Sequence, residues 1–170
     1  MIASGQLRLL LAADTRLPLV ACGPDAGAVL AAAAGTSVVL LGARELERGD
    51  ALADGRLAAA LQGGLFCIDG LEDLSPAERG RLLRAIDESP DRLVLIAASR
   101  REALALSERT ALVVDVPFPR FAERRRAWCD LAGGADAREV AAKFRLSIEQ
   151  IRGQAGARKL AGDVVVQVGV

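Results

Sequence analysis

The sequence predicts an α/β fold in which a parallel sheet is covered by helices on both faces and is followed by a small helical subdomain. Short apolar runs alternate with helical patterns as far as residue 116, and from Phe121 onward only helical patterns are found until the last residues. Strands that alternate with helices are typical of βαβ units, whose strands are parallel. With 170 residues, the chain is long enough for one such domain and a smaller helical part.

Five short apolar runs, rich in leucine and β-branched residues, predict strands that are fully buried. They lie at 17–22, 37–41, 64–68, 92–98 and 111–116. The first run ends at Gly23-Pro24-Asp25, which indicates a strand that enters a turn.

Helical patterns occupy most of the remaining sequence. Leu7, Leu10 and Leu11 have helical spacing within 5–13, a short helix is expected after the first strand, and the next patterns lie at 54–62 and 75–88. The helix at 75–88 has the clearest start, because Ser75 is followed by Pro76 at the first turn and by a capping-box glutamate, Glu78. Three later helices are predicted at 121–132, 136–144 and 147–160.

These patterns divide the chain into a core at 1–118, a helical subdomain at 119–162 and a tail at 163–170. The tail is apolar and strand-like, which fits either pairing with a sheet edge or continuation into a longer chain.

Composition removes several classes of function. Twenty-two basic and twenty-two acidic side chains give no net charge to attract nucleic acid or a membrane, and 3% aromatic residues provide few surfaces on which bases could stack. The absence of histidine excludes Ser-His-Asp, Cys-His and His-liganded zinc chemistry.

The three cysteines are far apart and lie in apolar runs, so Cys22, Cys67 and Cys129 are interpreted as buried thiols in a reducing compartment. Neither a signal-peptide pattern nor an apolar run of 18 residues is present. We therefore expect a soluble, cytoplasmic protein with no membrane partner.

The turn after the first strand has the position of a phosphate-binding loop but not its residues. In G-x-x-x-x-G-K-[ST], backbone N–H groups surround the β-phosphate, the lysine reaches the β- and γ-phosphates, and the hydroxyl binds magnesium. Here Ala28, Val29 and Leu30 occupy the positions of the glycine, the lysine and the hydroxyl residue. The segment by itself fits an ordinary turn between a strand and a helix.

Two other predicted strands end in polar residues. Asp69 follows the run at 64–68, the arrangement that places a carboxylate on the magnesium ion of a bound nucleotide. The next residue is Gly70, which has no side chain. Ser99 follows the run at 92–98.

The order and spacing of these segments over about residues 17–162 resemble the core and lid of the AAA+ ATPases. The resemblance also includes SERT at 107–110 before the fifth run, PRFAER at 119–124, and the segment at 140–152. It implies a P-loop NTPase-like αβα sandwich with five parallel strands in the order 5-1-4-3-2, followed by a helical lid.

The resemblance assigns roles to individual residues. Asp69 would bind magnesium if a nucleotide binds, Ser99 would be a sensor, and Arg109 would be an arginine finger that reaches a neighbour's nucleotide. A second sensor would be Arg152 or Arg158. The degenerate phosphate loop would comprise Gly23, Pro24, Asp25 and Gly27.

The functional hypothesis is a degenerate AAA+ module, similar to the first module of bacterial proteins that carry two such modules in one chain. It would not hydrolyse ATP but would be the structural or regulatory partner of an active AAA+ module, in the same chain or in another subunit of a ring. Two alternatives stay open: an ATPase that binds Mg-ATP through an atypical loop, and an unrelated doubly wound regulatory or ligand-binding domain. The basic run at 124–126 is interpreted as a solvated helix face rather than a nucleic-acid site.

Overall fold

Five parallel strands form one sheet in this computed structural model, which describes residues 2–72, 74–105, 111–132 and 137–161. The strand order is β2-β3-β4-β1-β5, which confirms the predicted order 5-1-4-3-2. The strands are β1 Leu19–Cys22, β2 Val38–Gly42, β3 Leu65–Asp69, β4 Val94–Ala97 and β5 Leu112–Asp115. The chain divides into two compact units between Pro117 and Phe118.

Helices lie on both faces of the sheet in the first unit. They are α1 Ile2–Ala12, α2 Ala26–Ala34, a 3₁₀ helix Ala43–Glu47, α3 Ala51–Gln62, α4 Pro76–Glu88 and α5 Arg100–Ala105. The 3₁₀ helix and α5 were not predicted from the sequence. None of the helices in the described part of the chain is long and apolar enough to cross a membrane.

Each face of the sheet has its own apolar core because successive side chains of a strand point to opposite faces. In β1, Val20 and Cys22 pack with Leu82 of α4, whereas Leu19 and Ala21 pack with Leu30 of α2. Helices α1 and α2 therefore cover one face, and α3, α4 and the 3₁₀ helix cover the other.

The prediction of fully buried strands is right for β1 and β4 and wrong for β2, β3 and β5. Every residue of β1 and β4 is buried. Among the described strands, β2 and β5 each have a single neighbour, and Leu40 of β2 is 55% exposed.

The start of α4 has the predicted geometry. The Glu78 N–H donates to Ser75 Oγ at 3.3 Å, and the Ser75 N–H donates to the Glu78 carboxylate at 2.7 Å. Hydrogen bonding of the Glu78 carboxylate to the Ser75 side chain, and then to the Ser75 backbone N–H, lowers the pKa of Glu78.

The second unit contains α6 Phe121–Ala132, α7 Ala137–Lys143 and α8 Ile148–Ala161. Its core contains Trp128, Ala141 and Ile151. Arg124 of α6 donates to the carbonyl of Ala141 on α7 at 3.2 Å, which links the two helices. The predicted tail at 163–170 lies outside the described residues.

Candidate functional site

The turn between β1 and α2 comprises only Gly23, Pro24 and Asp25. Gly23 has φ +137°, and a Cβ atom there would lie under 3.0 Å from the carbonyl oxygen of Val116. The Gly23 N–H donates to the Ala97 carbonyl at 3.0 Å. The turn is therefore held closely against the ends of β4 and β5.

Helix α2 begins at a position that would still belong to the loop, rather than to the helix, in a phosphate-binding loop. Because α2 starts at Ala26, the residues at the positions of the loop's last glycine and lysine are already helical. The Ala26 N–H donates to the Gly23 carbonyl at 3.3 Å, and the Val29 N–H donates to the Asp25 carbonyl at 3.0 Å. These two N–H groups are occupied by the backbone, so the segment has a shorter anion cradle than a phosphate loop.

The side chains of α2 also differ from those of a phosphate loop. The helix contains no charged residue, and Leu30, at the position of the magnesium-binding hydroxyl, is fully buried. Asp25 is buried at the start of the helix, with only 6% of its surface exposed. Asp25 thus places an acidic residue at the N-terminus of α2, the end of the helix at which a phosphate would bind. The positive end of the helix dipole lies at this position and favours a negative charge.

Asp69 lies at the end of β3, where the sequence predicted a magnesium ligand. Its Oδ1 accepts a hydrogen bond from the Gly70 N–H at 2.7 Å, and Gly70 has φ +74°. Burial, and then the nearby Asp69 charge, raise the pKa of the Cys67 thiol to about 12. Among the described residues, no group of three or more Cys, Asp or Glu side chains could hold a metal ion.

Ser99 begins helix α5 through a capping box. Its hydroxyl donates to the Glu102 carboxylate at 3.0 Å and accepts from the Glu102 N–H at 3.4 Å, while its own N–H donates to the same carboxylate at 3.2 Å. A sensor role would require this exposed serine to exchange one of these contacts for a phosphate oxygen.

An ion pair between Arg100 and Asp115, which the sequence did not predict, also lies at this edge of the sheet. The parallel register places Asp115 beside Cys22. Burial, followed by the charge of Asp115, raises the pKa of the Cys22 thiol to about 11. Both partners of the ion pair are more than half exposed, so its contribution to stability is about 0–1 kcal/mol.

The sheet thus brings Gly23, Asp69 and Ser99 to one edge, because the carboxyl ends of parallel strands meet there. Gly27 lies within α2, and Arg152 is an exposed residue of α8 in the second unit. Arg109 and the side chain of Arg158 lie outside the described residues.

The prediction that all three cysteine thiols are buried is correct for two of them. Cys22 and Cys67 are buried, but Cys129 is exposed on α6, so its interpretation as a buried thiol was wrong. On this helix Trp128 is buried, and the following residue points about 100° away from it.

Comparison with solved structures identifies a related fold. A RuvB variant from Thermotoga maritima, an AAA+ ATPase, matches with a TM-score of 0.54 and 18% sequence identity, and the match covers 93% of this chain. The fold is P-loop-like. This chain spans 58% of the length of that RuvB chain, and at this identity the likeness shows the fold alone. No family model and no curated protein matches the sequence.

Proposed function

We propose that this chain is a degenerate AAA+ module that does not hydrolyse ATP and that acts as a structural or regulatory partner of an active AAA+ module in a ring assembly. The observation that carries the proposal is the turn of three residues between β1 and α2, which leads into a helix without a lysine. The RuvB-like fold supports the family, and the turn supports the loss of catalysis.

The energetic argument concerns the groups that stabilise the transition state. Removal of one preorganised donor from a catalytic site costs about 3–4 kcal/mol of that stabilisation. This chain lacks the lysine and the magnesium-binding hydroxyl, and Gly70 stands where a water-orienting acid would follow Asp69. The combined loss leaves little basis for ATP turnover. Arg109 retains its proposed role as a finger toward a neighbour's nucleotide, because that role does not need this chain's own loop.

Isothermal titration of the chain with Mg-ATP tests the loss of the nucleotide site. We expect no binding in the micromolar range, because neither the lysine nor an open cradle is present to hold the phosphates. The matched variant is Asp69→Asn, which removes the carboxylate at the end of β3. Micromolar binding that this variant weakens would contradict the proposal and favour the ATPase with an atypical loop.

Exposed leucines on α3, near the β2 edge of the sheet, support a docking role. Leu40 of the edge strand β2 is 55% exposed, while Leu57 and Leu61 of α3 are 60% and 80% exposed. Helix α3 packs against β2, and the spacing of four residues places Leu57 and Leu61 on one face of the helix. Leu40 pairs in register with Cys67 and therefore points to the face of the sheet that α1 and α2 cover, whereas Leu57 and Leu61 lie on α3 at the other face. Leu57 and Leu61 thus form an exposed apolar pair on one helix face, and contiguous exposed apolar surface is typical of protein–protein contacts.

Sedimentation analysis of a Leu57→Glu/Leu61→Glu variant tests this surface as a contact between copies of the chain, which is the homo-oligomeric form of the proposed ring. We expect the wild-type chain to associate as its concentration rises and the variant to remain monomeric, because two buried carboxylates would oppose contact. Leu9→Glu is the control, since Leu9 is a 75% exposed leucine on α1. Equal association of wild type and the double variant, or a wild-type chain that stays monomeric, would contradict self-assembly through this edge.

A further inference from the structure

A cleft of about 520 Å³ lies on the first unit between α3 and the last turns of α4. It shares no residue with the edge of the sheet that carries Gly23, Asp69 and Ser99. Its volume is within the range of about 300–1,000 Å³ that is typical of small-molecule sites. The lining combines four arginines with one acidic residue, Glu88.

Three of the four arginines are held in place by residues around the cleft. Arg48 forms ion pairs with Asp50 at 3.7 Å and Asp54 at 3.3 Å. Arg81 pairs with Glu47, and Arg56 donates to the hydroxyl of Ser89. The three carboxylates in these pairs do not line the cleft. They orient the guanidinium groups, and each group keeps N–H donors beyond those used in these contacts.

The fourth arginine, Arg84, forms no hydrogen bond or ion pair with any described residue. It lies three positions after Arg81 on α4, where like charges on neighbouring turns repel each other. An anion between the two guanidinium groups would remove this repulsion and accept paired N–H bonds from both.

The base of the cleft is apolar. Leu46 and Leu52 line it and also pack against the core beneath the sheet, and Ala85 completes this surface. A ligand that satisfies both parts of the lining needs an anionic group for the arginines and an apolar or planar part for the leucines. The planar guanidinium fork matches a phosphate with two parallel hydrogen bonds.

We propose that this cleft binds a small phosphorylated organic molecule, with the phosphate between Arg56, Arg81 and Arg84 and the organic part against Leu46 and Leu52. The site is separate from the proposed docking role and does not depend on it. The cleft would provide the chain with a ligand-binding site outside its degenerate phosphate loop.

Isothermal titration with phenyl phosphate tests the site, because this probe carries both a phosphate and an apolar ring. We expect binding that is tighter than that of inorganic phosphate and that is weakened at least about tenfold by Arg84→Gln, since a charge-assisted hydrogen bond contributes about 1.5–3 kcal/mol. Arg79→Gln is the matched control: Arg79 is exposed on the same helix but does not line the cleft. Because Arg84 is exposed and forms no hydrogen bond or ion pair with a described residue, its variant is expected to fold normally.

Several outcomes would overturn the proposal. Phenyl phosphate does not bind, or Arg79→Gln weakens its binding as much as Arg84→Gln does. Inorganic phosphate binds as tightly as phenyl phosphate. An acidic peptide binds and phenyl phosphate does not, which would assign the cleft to a protein partner.

The result for Mg-ATP separates this site from the proposed function. If Arg84→Gln abolishes Mg-ATP binding and Asp69→Asn does not, Mg-ATP binds in this cleft. If Asp69→Asn abolishes it and Arg84→Gln does not, the result contradicts the degenerate-module proposal but not the proposal for the cleft.

Discussion

Replacement of Gly23 with alanine is expected to lower the free energy of unfolding by about 2–6 kcal/mol, from about 1–3 kcal/mol of backbone strain and a similar cost of overpacking. Gly23 has a positive φ of 137°, and its added methyl group would collide with the carbonyl of Val116. That carbonyl belongs to backbone at the end of β5, which cannot rotate away as a side chain can. For a domain whose total stability is about 5–15 kcal/mol, this is a large loss.

Urea denaturation followed by circular dichroism measures the effect. Gly80→Ala is the matched control, because Gly80 lies within α4 and a Cβ atom there would meet nothing within 4 Å. We expect this control to be as stable as the wild type or more stable by up to about 1 kcal/mol, owing to the higher helix propensity of alanine. Equal stability of the two variants would show that the turn at Gly23 can relax and would weaken the description of it as tightly closed.

Replacement of Leu30 with threonine is expected to destabilise the chain by about 2–5 kcal/mol. The substitution introduces the hydroxyl that a phosphate loop carries at this position, but Leu30 is fully buried between α2 and the sheet. Loss of buried apolar volume in a core commonly costs this much. Since α2 otherwise consists of small residues and one valine, Leu30 is the largest side chain that anchors it.

The comparison for this variant is Leu9→Thr, which makes the same change at an exposed position of α1 and should cost less than about 1 kcal/mol. Denaturation midpoints provide the stability values, and titration with Mg-ATP shows whether binding is gained. We expect no gain of binding, because a side chain at this position faces the core. A stable Leu30→Thr variant that binds Mg-ATP would mean that the loop had lost only its side chains and not its geometry.

The strands were the most predictable part of this fold. Apolar runs such as 92–98 are long enough to identify a buried strand, and the observed β4, Val94–Ala97, lies inside that run. Strand order, however, depends on contacts between distant segments, and here it came from the family resemblance rather than from any pattern in the residues. Exposure at the sheet edge follows from strand order, which is why the burial of Leu40 was predicted wrongly.

The candidate site was less predictable, because its contacts depend on register. Asp115 and Arg100 are separated by fifteen positions, and only the pairing of β1 with its two neighbours brings them together. Ser99 does have a local sequence signal: Glu102 follows it by three positions, which is the spacing of a capping box. That spacing would have predicted the start of α5.

The position of Trp128 in the core of the second unit has a practical consequence for spectroscopy. It is the single tryptophan of a chain without tyrosine, so the intrinsic fluorescence excited at its absorption band arises from α6 alone. Circular dichroism, by contrast, sums over helices and strands of both units. An unfolding experiment that records both signals therefore follows the three-helix unit separately from the sheet, without any added label.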